Sequence, residues 1–405
     1  LNHQTSSSNQ TRVLNLIRIH QTTTRTNLAQ ETGLTVPAIS NIVRGLELLK
    51  LVKEDGRAES TGGKPAQLVS FDGTQYFVLG VDMGTTNLRF AVMNLKGQVV
   101  YKEIIPTPTT DRTLMNILDT RIHQIIADCA SRGIIVVGIG IGAPGIVNRA
   151  TGQLIYSPNM KYATSEIRTE LMRSIDLPIE IHNITKCMAL AEQNFDNDDG
   201  ATDIFCISLG FGIGSALITH SELYEGANNG YTEMGHTLIK PNGPLCACGN
   251  HGCVEAVSSI SAIIRDAKTA VDRGEETILK TQTPLTGKKV FDAAIAGDPV
   301  AIQVVSNALQ YLGIAITNIT NLLDPQRIVL LGGMTNSKDY LLEKIVPIVQ
   351  ENHFSVGDIP QIQVSKLGED AGVIGAASLI MNHIFQSASV DPVDWQLTRP
   401  VMLAD

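Results

Sequence analysis

Three of the chain's six cysteines, Cys246, Cys248 and Cys253, fall within eight residues. Thiolates at such spacing can converge on one soft metal ion, and an imidazole would complete a closed tetrahedral site. His236 is at hand to supply that imidazole, and His251 also lies in the loop. In a reducing compartment such clustering serves metal rather than disulfides. Three thiolates and a histidine leave no coordination position open, so the expected cofactor is a structural Zn²⁺, with Gly249 and Gly252 letting the chain turn tightly around it.

Three glycine-rich turns carry a second kind of chemistry. The first, in FVLGVDMGTTNLRFAV, gathers Asp82, Gly84, Thr85 and Thr86 between two apolar strands. Glycine allows close backbone approach to a phosphate, threonine hydroxyls can bond its oxygens, and an aspartate can hold Mg²⁺ through water. The second, in DIFCISLGFGIGSALI, contributes Gly210 and Gly212, with Gly214 just beyond. In the third, PQRIVLLGGM, a strand ends in Gly332 and Gly333. Two strand–turn–strand signatures more than 100 residues apart point to duplicated lobes facing across a cleft. No GxGxxG opens a helix after the first strand, which argues against a dinucleotide-binding fold.

These turns need a large α/β body to position them. With 405 residues, 43% hydrophobic and 18% charged, the chain has the material for a small domain and a two-lobed body. It has no continuous apolar run long enough to span a bilayer, and its start, LNHQTSSSNQTR, lacks the pattern of a signal peptide; a cytoplasmic protein without membrane insertion is expected. Net charge is −9, yet residues 1–70 hold eight Lys/Arg against five Asp/Glu, a local +3 on an acidic remainder of −12.

The basic head predicts three helices. Val13, Leu14, Leu16, Ile17 and Ile19 give the first a buried face. Thr26 is the expected cap of the second, which Gly33 ends. Thr35 caps the third, Pro37 suits its first turn, and Ile39, Ile42, Val43, Leu46 and Leu49 form its inward stripe. Ser40, Asn41 and Arg44 then face outward, where a recognition helix offers groups to base edges. The segment LVKEDGRAESTGGKPAQLVSF predicts two strands around a glycine-rich loop, a wing whose Arg57 and Lys64 suit a phosphate track or a narrow minor groove of double-stranded DNA. Thr35, at the helix start, joins these as a DNA-binding candidate.

Taken together, STGGKP, DMGTT, GIGAPGIVN, LGFGIGSALI, EMGHTLIKPNGPLCACGNHGCVE and NLLDPQRIVLLGG resemble the ROK family (repressors, open reading frames, sugar kinases), and specifically its repressor branch. The resemblance covers almost the whole chain. It implies an α/β, two-lobed, actin-like or hexokinase-like ATPase fold with an N-terminal winged helix-turn-helix. The expected division is a DNA-binding domain over 1–72, a first lobe over 73–190, a second lobe with the zinc motif over 191–386, and a tail over 387–405. The same resemblance selects His236 as the fourth metal ligand, and implies sugar contacts from Asn183, Glu233, His236 and Glu255 beside the Pro144–Gly145 turn.

One departure decides between activities. In the family's kinases an aspartate follows the asparagine and takes the proton of the attacking hydroxyl, but here the sequence is His182-Asn183-Ile184-Thr185. Isoleucine accepts no proton, and losing a general base costs about 10² to 10⁴ in rate. The phosphate turns therefore read as vestigial, and the chain as a repressor responsive to a sugar or sugar phosphate, a homodimer or homotetramer on DNA, rather than an enzyme. The alternatives are an ATP-dependent hexose or N-acetylhexosamine kinase, or a scaffold that binds a transport-system protein.

Overall fold

Strand order repeats itself in this chain. The structure, a computed structural model, describes residues 2–58, 65–108, 110–148, 151–157, 166–227, 230–354 and 357–395. The head contains α1 (Asn2–His20), β1 (Thr22–Thr24), α2 (Arg25–Thr32), α3 (Val36–Leu48), β2 (Val52–Arg57) and β3 (Gln67–Phe71). The wing strands β2 and β3 pair antiparallel, and β1 adds a third strand to β3 that the sequence had not signalled. The cap of α2 is Thr24, whose side chain accepts from the Asn27 amide, rather than Thr26, which sits inside the first turn. Thr35 does cap α3, accepting from the Ala38 amide, and Gly33 ends α2 at φ 74°.

The first lobe follows with β4 (Phe77–Met83), β5 (Asn87–Asn94), β6 (Val99–Pro106), α4 (Asp111–Ser131), β7 (Val136–Ala143), β8 (Ile146–Asn148), β9 (Gln153–Tyr156), α5 (Ile167–Leu171), β10 (Ile179–Asn183) and α6 (Ile184–Phe195). The second holds β11 (Ile204–Leu209), β12 (Ile213–Thr219), β13 (Glu222–Leu223), α7 (Val254–Ser258), α8 (Ile260–Asp272), α9 (Gly287–Ile295), α10 (Pro299–Leu323), β14 (Arg327–Leu331), α11 (Lys338–Asn352), β15 (Gln361–Val364) and α12 (Ala371–Ser387). The sheets run β6-β5-β4-β7-β10 and β13-β12-β11-β14-β15. In each, an antiparallel meander of three strands is extended by two parallel ones, so the lobes are copies of one topology.

The two helices that leave the last strands bind the lobes together. α6 follows the first lobe's last strand, yet Cys187, Ala189 and Leu190 pack with Ile204, Cys206, Ala216 and Val329 of the second sheet. α12 follows the second lobe's last strand and lays Val373, Ala377 and Ile380 against Val78 and Ala91 of the first. The two helices cross closely: a Cβ at Gly375 would lie 2.1 Å from the Cys187 carbonyl oxygen, so only glycine fits. The expected boundary at 190/191 therefore falls inside α6, and residues 371–386, assigned to the second lobe, cover the first. One face of each sheet is thus covered by the other lobe's helix, and the opposite face by the lobe's own helices.

α12 also carries the head. Its Met381, Ile384 and Phe385 belong to the same apolar core as Val13, Leu14, Ile17, Leu28, Ile39 and Val43. Ala388, the first tail residue past the helix, is fully buried in that core. α10 is long and apolar enough to cross a membrane by length and composition, but Ala301, Val305, Leu309, Leu312 and Ile316 fill the second lobe's core.

Candidate ligand cleft and metal site

Cys246 opens a tight turn in which the Gly249 amide bonds the Cys246 carbonyl at 3.0 Å and the Cys246 amide bonds the Asn250 carbonyl at 2.7 Å. Gly249 takes φ 93° to close it. The turn aims three thiols at His236, which ends a short 3-10 helix over Met234–His236. All four donor atoms lie within 4.8 Å of one another. Cys246 Sγ is 3.6 Å from His236 Nδ1, and Cys248 Sγ is 3.7 Å from Cys253 Sγ. Ligands at about 2.0–2.3 Å in tetrahedral array around zinc stand about 3.5–3.8 Å apart, so these separations fit the ion. His251 is turned away, its Nδ1 bonded to the Gly243 carbonyl at 3.1 Å.

Glu255, expected at the sugar, faces the metal arm and the second hairpin. Its Oε2 accepts from the Ile213 amide at 2.9 Å, while Oε1 lies 3.8 Å from Cys246 Sγ. One carboxylate thus ties β12 to the cysteine turn. Glu233 precedes the 3-10 helix, half-buried, without a side-chain hydrogen bond among the described residues. On the facing lobe Asn183 caps α6: Oδ1 accepts from the Thr185 and Lys186 amides at 2.9 and 3.2 Å, and Nδ2 donates to the Gly145 carbonyl at 2.8 Å. One amide hydrogen is left to offer elsewhere.

Lys186, three residues past Asn183, fastens α6 to the second lobe. Only 2% exposed, it donates to the carbonyls of Ser215 and Tyr231 and to Thr232 Oγ1, beside Glu233. The sequence reading missed it because nothing local marks a lysine for burial. His182, next to Asn183, accepts from the Asn183 amide through Nδ1 at 2.7 Å and meets the Tyr231 hydroxyl through Nε2 at 3.1 Å. Thr185 packs against Gly214, where a Cβ would meet its Oγ1 at 2.2 Å. Ile184 directs Cδ1 onto Gly142 and Gly372 and forms an apolar wall there.

The glycine turns occupy strand ends as expected. Asp82, at the end of β4, is buried against Gly372 and lies 3.7 Å from Arg89, which also approaches Glu369 at 3.5 Å. Burial pushes its carboxyl up to about 6, with Arg89 opposing that rise. Gly84 is held by a 2.7 Å bond from Thr107 Oγ1 to its carbonyl, with Thr85 exposed beside it. Gly210 and Gly212 close the β11–β12 turn through a 3.0 Å backbone bond. Gly332, at φ 89°, packs on the Leu209 carbonyl, which brings the second and third turns together, with Gly333 following.

In the head, Asn41 and Arg44 are exposed on α3, and Ser40 is half-buried with its hydroxyl on the Val36 carbonyl at 2.9 Å. Arg57 is exposed at the end of β2. Lys64 lies outside the described residues.

Duplicated sheets of this topology, with glycine turns at their strand ends and helices exchanged between lobes, define a hexokinase-like α/β protein, here bearing a helix-turn-helix head. The chain belongs to the ROK family, whose model matches residues 78–383. It is 33% identical over 316 residues to a glucokinase of Halalkalibacterium halodurans, covering 75% of this chain and 94% of that one. It is 26% identical over 377 residues to the xylose repressor of Bacillus subtilis, covering 93% and 95%. Among solved structures, a ROK family transcriptional regulator described as a homolog of the E. coli MLC protein superposes with a TM-score of 0.83 at 25% identity, over 96% of this chain and 98% of that one. A ROK family glucokinase from Streptomyces griseus, in complex with glucose and AMPPNP, gives 0.66 at 28% over 75% and 98%.

Proposed function

We propose that the protein is a transcriptional repressor of carbohydrate-metabolism genes, acting in the cytoplasm, whose hold on operator DNA depends on a sugar or sugar phosphate in the cleft. The observation that carries this reading is mechanical. α6 begins at Asn183, a candidate sugar contact, and ends beneath the head, where Asn194 Oδ1 accepts from Arg18 Nη1 at 3.3 Å. Asn194 also donates to Asn382 Oδ1 of α12 at 3.0 Å. The α12 backbone in turn accepts from Thr11 and Asn15 of α1 at 2.9 and 3.1 Å. A ligand that draws the lobes together would shift α6 and α12, and with them the spacing of two heads in a dimer on a palindromic operator.

The comparisons support the same reading, because repressors match the head as well as the body while glucokinases match about three quarters of the chain. Zn²⁺ would be structural, fixing the Glu233–His236 turn beside Glu255. On DNA, Thr35, Ser40, Asn41 and Arg44 would meet the major groove, and Arg57 and Lys64 the backbone. Asn41→Ala should cost about 1–3 kcal/mol at one base position, whereas Arg57→Ala should weaken all sequences alike.

The test is fluorescence anisotropy against DNA upstream of the protein's own gene, at stated salt, with D-xylose, D-glucose, N-acetylglucosamine and their phosphates. Specific binding altered by one of them is expected; DNA binding indifferent to all of them would overturn the sugar-responsive half. A hexose kinase is favoured by the retained glycine turns and the 33% glucokinase match, but Ile184 offers it no base. Transfer of phosphate from ATP to glucose would establish it. A transport-system protein that sequesters the body is the remaining partner, detected by pull-down without any sugar.

A further inference from the structure

Thr232, the residue before Glu233, stands at φ 54°. That is left-handed backbone, costly for any side chain and most costly for a β-branched one. Such a conformation persists only when its surroundings impose it, and here two side chains do so. Lys186 Nζ donates to the Tyr231 carbonyl at 2.9 Å and also to Thr232 Oγ1. Ser215 Oγ donates to the Thr232 carbonyl and accepts from the Met234 amide at 3.0 Å, while Thr232 Oγ1 also reaches the Ser215 carbonyl at 3.1 Å. The Lys186 ammonium lies 4.9 Å from the centroid of the Tyr231 ring, so charge and ring packing reinforce the hold.

We infer that Lys186 is a positioning residue for the ligand site: with Ser215 it locks Thr232 in a left-handed turn that sets the direction of Glu233 and the 3-10 helix ending in His236. The lock ties the helix capped by Asn183 to the second lobe, on whose sheet that helix packs. It keeps the two sides of the candidate sugar site in register. Burial drops the Lys186 amine to about 8, with the Glu233 carboxylate acting against that drop, in keeping with an ammonium held for structure. The inference rests on the sugar-binding reading for its ligand but not for its geometry.

The experiment compares zinc-loaded wild type with Lys186→Met and with Lys186→Met/Thr232→Gly. D-xylose and D-glucose affinities are measured by calorimetry, and amide exchange is followed over residues 233–237. Glycine adopts a positive φ without strain, so it supplies by itself the backbone that the lysine imposes on threonine. Lys186→Met should weaken sugar binding about tenfold and speed exchange, with zinc content unchanged, and the added Thr232→Gly should restore most of the affinity. Unchanged affinity and exchange in Lys186→Met would overturn the lock. So would a loss that glycine does not relieve, because the lysine would then act by another route. If wild type binds neither sugar, the ligand reading fails separately and exchange alone decides. Should Lys186→Met not fold, Ser215→Ala removes the other half of the lock and is expected to show the same pattern at smaller amplitude; no effect on either readout would overturn it.

Discussion

The two ends of α6 are held by different physics. At the Asn183 end, the asparagine caps the helix and Lys186 is buried among oxygen acceptors of the second lobe, next to a strained residue. At the head end, the Asn194 side chain bonds Asn382 of α12 and, as its link to the head, Arg18, whose guanidinium lies 4.2 Å from the centroid of the Phe385 ring with no partner for its Nε among the described residues. A dense polar lock resists small displacements until its geometry fails, whereas the link from α6 to the head, the Arg18–Asn194 bond beside an apolar contact, can slide. The difference assigns sensing to the first end and transmission to the second, with α6 as the rigid piece between them.

The largest way to break this contrast is to remove the metal. Cys248→Ser leaves two thiols and an imidazole, and zinc content should fall below about a tenth of an ion per chain by atomic absorption. Without the arm, Glu255 loses the turn it ties to Ile213, and sugar affinity should fall by about 100-fold or more. The head makes no contact with the arm among the described residues, so operator affinity should stay within a few-fold but cease to respond to sugar. Equal loss of DNA binding would mean that the two ends are not separable.

Next in size is the head contact itself. Burial lowers the Arg18 guanidinium to about 10, so it remains charged at neutral pH while shielded from water. Arg18→Leu keeps the apolar contact with Phe385 and removes the charge and the bond to Asn194, a change the fold should bear. Sites coupled by 1–3 kcal/mol show about 5–150-fold shifts in affinity. In Arg18→Leu the operator Kd with and without sugar should converge to within about twofold. A full sugar response in this variant would place transmission in α12 alone.

Much of this arrangement was legible before any coordinates, but unevenly. The metal ligands stood out because four donors of two scarce types lie within 18 residues, and the folded chain brings them together. Hairpins at Gly84 and Gly210 followed from apolar runs broken by glycine, and the inward stripe of α3 from its spacing. Missed were the features made by long-range contact. The exchange of α6 and α12 between lobes leaves no local mark, since an apolar helix face does not say which sheet it meets. Lys186 was passed over because its acceptors lie 29 to 46 residues away. The strain at Thr232 was invisible for the same reason, as only the fold imposes a positive φ there. Capping by Thr24 rather than Thr26 is a smaller miss, decided by a three-residue strand too short to show a pattern.

The smallest expected effect concerns Glu192, two residues before Asn194 and fully buried. Its Oε1 accepts from Ser365, its Oε2 has no hydrogen-bond partner among the described residues, and Asp196 adds a nearby negative charge. Burial leads these causes in pushing its carboxyl up to about 7. Between the ordinary glutamate range and that value the folded protein holds a proton that the unfolded chain releases. This contribution is therefore full below about pH 4.5 and is lost as pH rises through 7. The loss is at most about 3 kcal/mol, which in a chain of this size moves Tm by only several degrees. Glu192→Gln should flatten the fall in Tm between pH 5 and 8, measured by scanning calorimetry, while leaving sugar affinity unchanged. A Glu192→Gln protein that loses the sugar response of DNA binding would instead show that the head end of α6 is as tightly specified as the cleft end, and the division between sensing and transmission would fall.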